Sequence, residues 1–332
     1  MNLKGSFQIR LSQDIDRVET KYETGKLMKK YYFNAEISDW ESWGEVYQSI
    51  EIWEPLVNQI LYKEDLPVFE TENLHPGSNA VFQNGDHVVK IFAPKESGIN
   101  SNIDYETEVF ALTFAMNNGV SVPNLITSGK IKDKYDFSYM IMDYIDGVDF
   151  KEYSVDFSNN DKYLFGKRLR NITDLMNKPC ESFNDVEVVK DAIHDKSRWY
   201  RWEKFSESFK QERIEYIKKH DYSEYIFIHG DLCFDNFIIN KSNGIHIIDF
   251  ADSLLAPICY EHAHLVCELF GFDKSYLNGF FGEYKTDDLV ELCIEGILIH
   301  DFGGDIVSIN IAPPEEIDSI EDLRVKLYEL LG

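Results

Sequence analysis

Asp231, Asn236 and Asp249 lie close together in the segment IHGDLCFDNFIINKSNGIHIIDFADS. Two β-like runs, Phe237 to Asn240 and Ile245 to Ile248, flank the turn Lys241 to Gly244, so the segment reads as a hairpin with Asn236 and Asp249 at one end. Two hard oxygen ligands placed there can share a magnesium ion that keeps several of its waters. Asp231, at the loop start, supplies a carboxylate. Phosphoryl transfer needs a carboxylate near the attacking hydroxyl, oxygen ligands for magnesium and a cation on the non-transferred phosphates. Lys90 is the candidate cation: in HVVKIF it alternates with apolar neighbours, which points it to the opposite face from Val89 and Ile91. A lone strand lysine is ordinarily just solvated.

These groups need elements to hold them. The spacing of Trp43, Val46, Tyr47, Ile50, Trp53 and Leu56 predicts a helix from about Trp40 to Tyr62, and those residues read as core; Phe7 to Leu11 is strand-like. From Phe69 onward, β-like runs at Ala80 to Phe82 and His87 to Phe92 flank the turn dipeptide Asn84-Gly85. A helical pattern from Ile103 to Met116 stops at Asn118-Gly119, and two more β-like runs follow, Leu125 to Ser128 and Phe137 to Asp143. Beyond Gly147 the pattern is mostly helical around the hairpin.

Of the 332 residues, 44% are hydrophobic and 14% aromatic, enough for a sizeable core and two packed lobes. A formal charge of -26 repels phosphate backbones and anionic head groups, so nucleic acid and membrane surfaces are not expected partners. The five cysteines include no CxxC pair, which suggests neither a disulfide framework nor a zinc site. With no apolar run long enough to span a bilayer and no apolar stretch near the start, a cytoplasmic location is expected.

The HGDxxxxN run followed by IDF matches, residue for residue, a pattern of the aminoglycoside phosphotransferase and choline kinase superfamily, relatives of the protein kinases, and the chain resembles that superfamily from about Leu74 to about His264. The resemblance implies an α+β, bilobal protein-kinase-like fold with an antiparallel-sheet N-lobe and a mostly helical C-lobe. The expected division is 1–70 as an extension packing on the N-lobe, 71–144 as the N-lobe and 145–332 as the C-lobe. It implies that Asp231 is the catalytic base, that Asn236 and Asp249 hold magnesium, and that His229 organises the loop backbone. In ETEVFALTFAMNNGVSVP, the register shared with the family selects Glu108, with Leu112, Gly119 and Pro123, as the partner of Lys90; Glu106 is the fallback.

In HPGSNAVF, Gly77 is the only glycine, as in the shorter loop of these relatives, and the amides of Gly77, Ser78 and Asn79 would cap phosphate oxygens. The lobe connector would offer backbone groups at Asp143, Tyr144 and Ile145 to a purine edge, with Ile91, Met140 and Ile248 as candidates to sandwich the ring. The nucleotide would be ATP, with GTP possible. The chain lacks the activation segment of protein kinases, so the expected acceptor is a small hydroxylated molecule, cationic in character. Asp252, Glu261 and Glu268 are the acceptor-side candidates, each with the plainer reading of a solvated acid. An aminoglycoside or amino-sugar is the first expectation. Choline, homoserine, methylthioribose or another small alcohol is the second, an inactive nucleotide-binding module the third, and a hydrolytic metal cluster on His229, Asp231 and Asp249 the last.

Overall fold

A computed structural model describes residues 31–332 apart from His75, Pro76 and Asn100; the strand-like piece at 7–11 lies outside the described residues. The first described elements are the helices α1 (Trp40–Val46) and α2 (Ile50–Lys63), not one continuous helix. Asp39 and Ser42 form a capping box that starts α1. The chain then bends at Tyr47 to Ser49, where the Val46 carbonyl at the end of α1 accepts both from the Ser49 N–H and from the Trp53 indole, each at 2.9 Å.

A five-stranded antiparallel sheet follows, in the order β1-β2-β3-β5-β4, from β1 (Thr71–Asn73), β2 (Ala80–Asn84), β3 (His87–Ile91), β4 (Leu125–Lys132) and β5 (Asp136–Asp143). Gly85 holds the β2–β3 turn with φ +61°, a conformation open to glycine without a Cβ penalty. The helix α3 (Ser101–Asn117) connects β3 to β4 and packs against β4 and β5. Alternation of side chains gives the sheet two unlike faces. Phe82, Val89, Ile91, Phe137, Tyr139 and Ile141 form one core with Phe33, Trp43, Trp53, Leu56 and Ile60 from the N-terminal segment. Val88, Met140 and Met142 belong to a second, larger core that continues into the helical lobe.

That lobe comprises β6 (Gly147–Asp149), α4 (Phe150–Tyr153), α5 (Asn159–Met176), α6 (Val188–His194), α7 (Glu207–Lys219), β7 (Ile226–Ile228), β8 (Phe237–Asn240), β9 (Ile245–Ile247), β10 (Leu254–Ala256), α8 (Cys259–His264), α9 (Lys274–Phe281), α10 (Thr286–Ile299), α11 (Gly303–Ile306) and α12 (Ile320–Leu331). The hairpin β8–β9 is extended by β6 into a three-stranded sheet, while β7 pairs with β10. The two-lobed α+β architecture of a protein kinase is therefore present, with the antiparallel sheet in the first lobe and helices dominating the second.

Two buried imidazoles give the helical lobe a pH dependence. His262 stands edge-on to Phe280 and Phe281, and His300 stacks on Tyr260 at 3.8 Å. Burial, reinforced by Arg170, lowers His262 to about 3. Burial, with His264 and Arg201 nearby, likewise depresses His300. Above the ordinary value of 6.5 neither state binds the proton, so nothing is lost; as pH falls through that value the unfolded chain gains protons that the folded one refuses. Stability should therefore fall between about pH 7 and about pH 5, by on the order of 2 kcal/mol from His262. Denaturant titrations of the protein and of His262→Leu at the two pH values check this: the variant should lose distinctly less on acidification.

Candidate active site

Lys90 is the penultimate residue of β3, and its side chain reaches from the sheet to Asp249 in the helical lobe. It is 5% exposed, and its ammonium lies 2.8 Å from Asp249 Oδ1 and 2.7 Å from Glu108 Oε2. Glu108 projects from the buried face of α3 and is 3% exposed. Glu106, two residues earlier, is exposed and accepts from Asn102 instead. The fallback pairing is thereby set aside by the half-turn that separates the two glutamates.

Burial alone would lower the Lys90 pKa, but the carboxylates of Asp249 and Glu108 outweigh it and hold the ammonium above its usual range. Burial also raises Glu108, to about 7, against the pull of Lys90. One ammonium faces two carboxylates while Glu108 has a single cation, so the site favours the charged form of Lys90 more strongly than that of Glu108. Asp249 goes the other way: burial raises it, but Lys90 more than compensates and its carboxyl stays below the usual range.

Asp249 has a left-handed backbone, φ +60°, which aspartate tolerates better than most residues. Its carboxylate accepts from the Ala251 N–H two residues on, the local bond that makes this turn accessible to Asp. The Ile248 N–H donates to the Asn236 carbonyl at 3.1 Å, which brings the segments bearing Asn236 and Asp249 side by side. Asn236 Nδ2 donates to Asp231 O and Asp231 Oδ2, at 2.8 and 3.0 Å, so the amide oxygen of the same side chain is directed away from Asp231. Among the described residues no three His, Cys, Asp or Glu side chains form a group able to hold a metal. The hydrolytic-cluster alternative therefore lacks ligands, and His246 pairs with Asn240 at 2.9 Å.

The loop before Asp231 is tied down from below. His229 is fully buried, its Nε2 hydrogen-bonding the Ile248 carbonyl at 3.0 Å and its ring resting against Phe250. Gly230 has φ +87°, and a Cβ there would collide with the Asp252 carbonyl. Glu261, expected on the acceptor side, is 1% exposed and lies beneath this loop: Oε2 accepts from the His229 N–H at 2.6 Å and Oε1 from Asn177 Nδ2 at 2.8 Å. Both oxygens are consumed by the scaffold. That placement corrects the sequence expectation.

Asp252 and Glu268 lie near Asp231, the first by charge interaction and the second through His264. Asp252 is solvent-exposed yet ringed by protein, and burial together with Asp231, Asp249, Asp104 and Asp301 pushes its carboxyl up to about 7. Glu268 accepts from His264 Nε2 at 2.9 Å, a bond that lowers its pKa, and the same nitrogen lies 3.9 Å from Asp231 Oδ1. Asp104 stands one turn before Glu108 on α3, and burial raises its pKa too; sequence reasoning passed over it because only the fold places it near Asp249.

A cavity of about 280 Å³ opens beside Lys90 and Asp249, and Gly77, Ser78, Asn79, Asp143, Tyr144 and Ile145 all border it. Its apolar walls are Val81, Val88, Met142, Ile238 and Ile248. Of the expected ring-contacting residues, Ile248 is among them, but Ile91 faces the opposite core and Met140, paired with Lys90 across the ladder, lies deeper in the sheet. Met142, two residues further on the same face, takes that place. In the connector, the Asp143 N–H donates to Asn124 O and the Tyr144 N–H to Asp86 O, so of the three residues Ile145 keeps an amide for a ligand.

Known proteins share this arrangement of lobes. The structure of the GDP complex of aminoglycoside 2'-phosphotransferase-IIIa superimposes with a TM-score of 0.54 at 18% identity, covering 83% of this chain and 97% of that one. The GDP and kanamycin complex of APH(2")-IIia gives 0.53 at 18%, covering 83% and 94%. A thermostable mutant of APH(4)-Ia, in ternary complex with ADP and hygromycin B, gives 0.51 at 12%, covering 82% and 97%. At such identities the likeness is one of fold. No curated protein matches at the sequence level. The phosphotransferase enzyme family (APH), however, matches residues 75–292, well over half the chain and inclusive of every side chain that meets around Lys90, and the chain therefore belongs to that family.

Proposed function

We propose that this phosphotransferase moves the γ-phosphate of ATP or GTP onto a hydroxyl of a small cationic acceptor of the aminoglycoside or amino-sugar type. The observation that carries the reading is the Lys90 ammonium, held between Glu108 and Asp249 at the edge of a purine-sized cavity, with Asn236 tied to the Asp249 segment through Ile248 and to Asp231 through its side-chain amide. Asp231 orients the acceptor hydroxyl and takes its proton; Lys90 positions the non-transferred phosphates; the amides of Gly77, Ser78 and Asn79 cap phosphate oxygens. The amide oxygen of Asn236 and the carboxylate of Asp249 are hard donors suited to magnesium, which when bound offsets phosphate charge. The Ile145 N–H faces the purine edge.

The carboxylates gathered near Asp231 support a cationic acceptor. Asp252 is driven to about 7 by burial and by its carboxylate neighbours, and an ammonium group docked there would restore its ionised form. Glu268 offers a second carboxylate on the same side. Kanamycin and hygromycin B, named in the complexes of two fold relatives, are acceptors of this chemical type.

A coupled nucleotide assay tests the proposal, with ATP and with GTP, with magnesium and with chelator, against kanamycin, hygromycin B, choline, homoserine and methylthioribose. Magnesium-dependent turnover with an aminocyclitol antibiotic is expected. Turnover confined to choline, homoserine or methylthioribose would move the acceptor to a metabolic alcohol, and nucleotide binding with no turnover would sink the catalytic reading.

A further inference from the structure

The turn that carries Gly77, Ser78 and Asn79 is gripped from outside the cleft by residues that lie before the family-matched region of 75–292. Trp43 on α1 donates its indole N–H to the Ser78 carbonyl at 3.0 Å. The ring is 1% exposed and meets Trp53 edge-on at 5.7 Å, so the donor has little freedom to swing. Asn73 Nδ2 donates to the Gln48 carbonyl at 3.0 Å, which ties the base of the same turn to the corner between α1 and α2. That corner is itself fixed by the bond from Trp53 to Val46.

This grip has a direction. A peptide unit is planar and trans, so its C=O and its N–H point opposite ways. Once the Ser78 carbonyl is drawn outward to Trp43, the Asn79 N–H of the same unit is aimed inward, toward the cavity that Ser78 and Asn79 border. Gly77 is the only glycine of the loop, so the turn has little conformational freedom of its own to find that orientation after a ligand arrives. We propose that Trp43 is a positioning residue for phosphate binding: its indole N–H locks the Ser78–Asn79 peptide so that the Asn79 amide is presented to a nucleotide phosphate. The N-terminal helical segment thereby takes part in nucleotide recognition without touching the nucleotide. The inference rests on the nucleotide-binding reading given above.

Calorimetry on the full chain compares Trp43→Phe, which keeps the aromatic packing and removes the donor, with the unaltered protein, using ATP with magnesium and adenosine as probes. Loss of one oriented hydrogen bond should raise the Kd for ATP by about three- to tenfold and leave adenosine within about twofold. The apparent KM for ATP should rise likewise while kcat at saturation is kept. Equal weakening of both ligands, or no change in either, would overturn the role of Trp43 alone. Failure of the unaltered protein to bind either ligand would instead overturn the functional reading on which it rests. A measurement on the unaltered protein stands independently of how the variant folds: the Asn79 amide proton should exchange more slowly with ATP bound than with adenosine bound, and equal exchange counts against the proposal.

Discussion

Replacing Asp231 by asparagine should lower kcat by about a thousandfold, the middle of the range for a general base, while the nucleotide Kd stays within about twofold. The expectation follows from where the carboxylate stands. Asp231 does not border the cavity next to Lys90, so a nucleotide seated there loses no contact when the charge is removed. The Asn side chain keeps the shape and can still meet Asn236 after an amide rotation, so the loop is not expected to collapse: His229, Gly230 and Glu261 hold it from below whatever occupies position 231. What disappears is the acceptor of the hydroxyl proton. Steady-state kinetics with a turned-over acceptor, alongside nucleotide calorimetry, separate the two effects. A variant that retained more than about a tenth of kcat would remove Asp231 from the base role.

The parts of this site differ in how far the sequence announces them, and the difference follows chain distance. Asp231, Asn236 and Asp249 share one hairpin, so turn residues and alternation are enough to bring them near one another. Lys90 and Asp249 are separated by 159 positions, and local pattern offers nothing to join them; the family resemblance did, with the register that favours Glu108 over Glu106. Period-two alternation excludes Ile91, which points away from Lys90, while Met140 and Met142 share a face and only nearness to the connector separates them. Glu261 misled because an acid on a helix after IDF reads equally well as a pocket wall or as a buried acceptor, and only burial decides. The spacing of Trp43 marks it as core, and it is core; that its one polar atom also reaches the Ser78 carbonyl depends on the bend between α1 and α2, which apolar spacing does not encode.

The second large effect belongs to Lys90. In Lys90→Met the chain length and much of the apolar stem are kept, but Glu108 loses its only cation in a site that is 3% exposed, and Asp249 loses the ammonium that holds its carboxyl below the usual range. Removing one partner of a buried pair typically costs about 3–5 kcal/mol. Here the cost should depend on pH, because Glu108 can escape by taking a proton. Burial already brings it to about 7 with Lys90 present, and without the ammonium it must rise further. A carboxyl whose folded pKa lies above its unfolded value keeps its stability at low pH and loses it as pH climbs from the unfolded pKa to the folded one. Denaturant titrations should therefore show Lys90→Met nearly as stable as the unaltered protein at about pH 5.5 and several kcal/mol weaker at about pH 8. Adding Glu108→Gln should recover much of the loss at the higher pH, since the neutral amide leaves only Asp249, whose side chain is far more exposed than that of Glu108, without its cation. Neither variant should bind the triphosphate with better than a tenth of the original affinity, by loss of one charge-assisted phosphate contact worth about 1.5–3 kcal/mol. A pH-independent deficit that Glu108→Gln failed to relieve would mean that the ammonium does not hold Glu108 ionised, and undiminished triphosphate affinity would remove Lys90 from the phosphate site altogether.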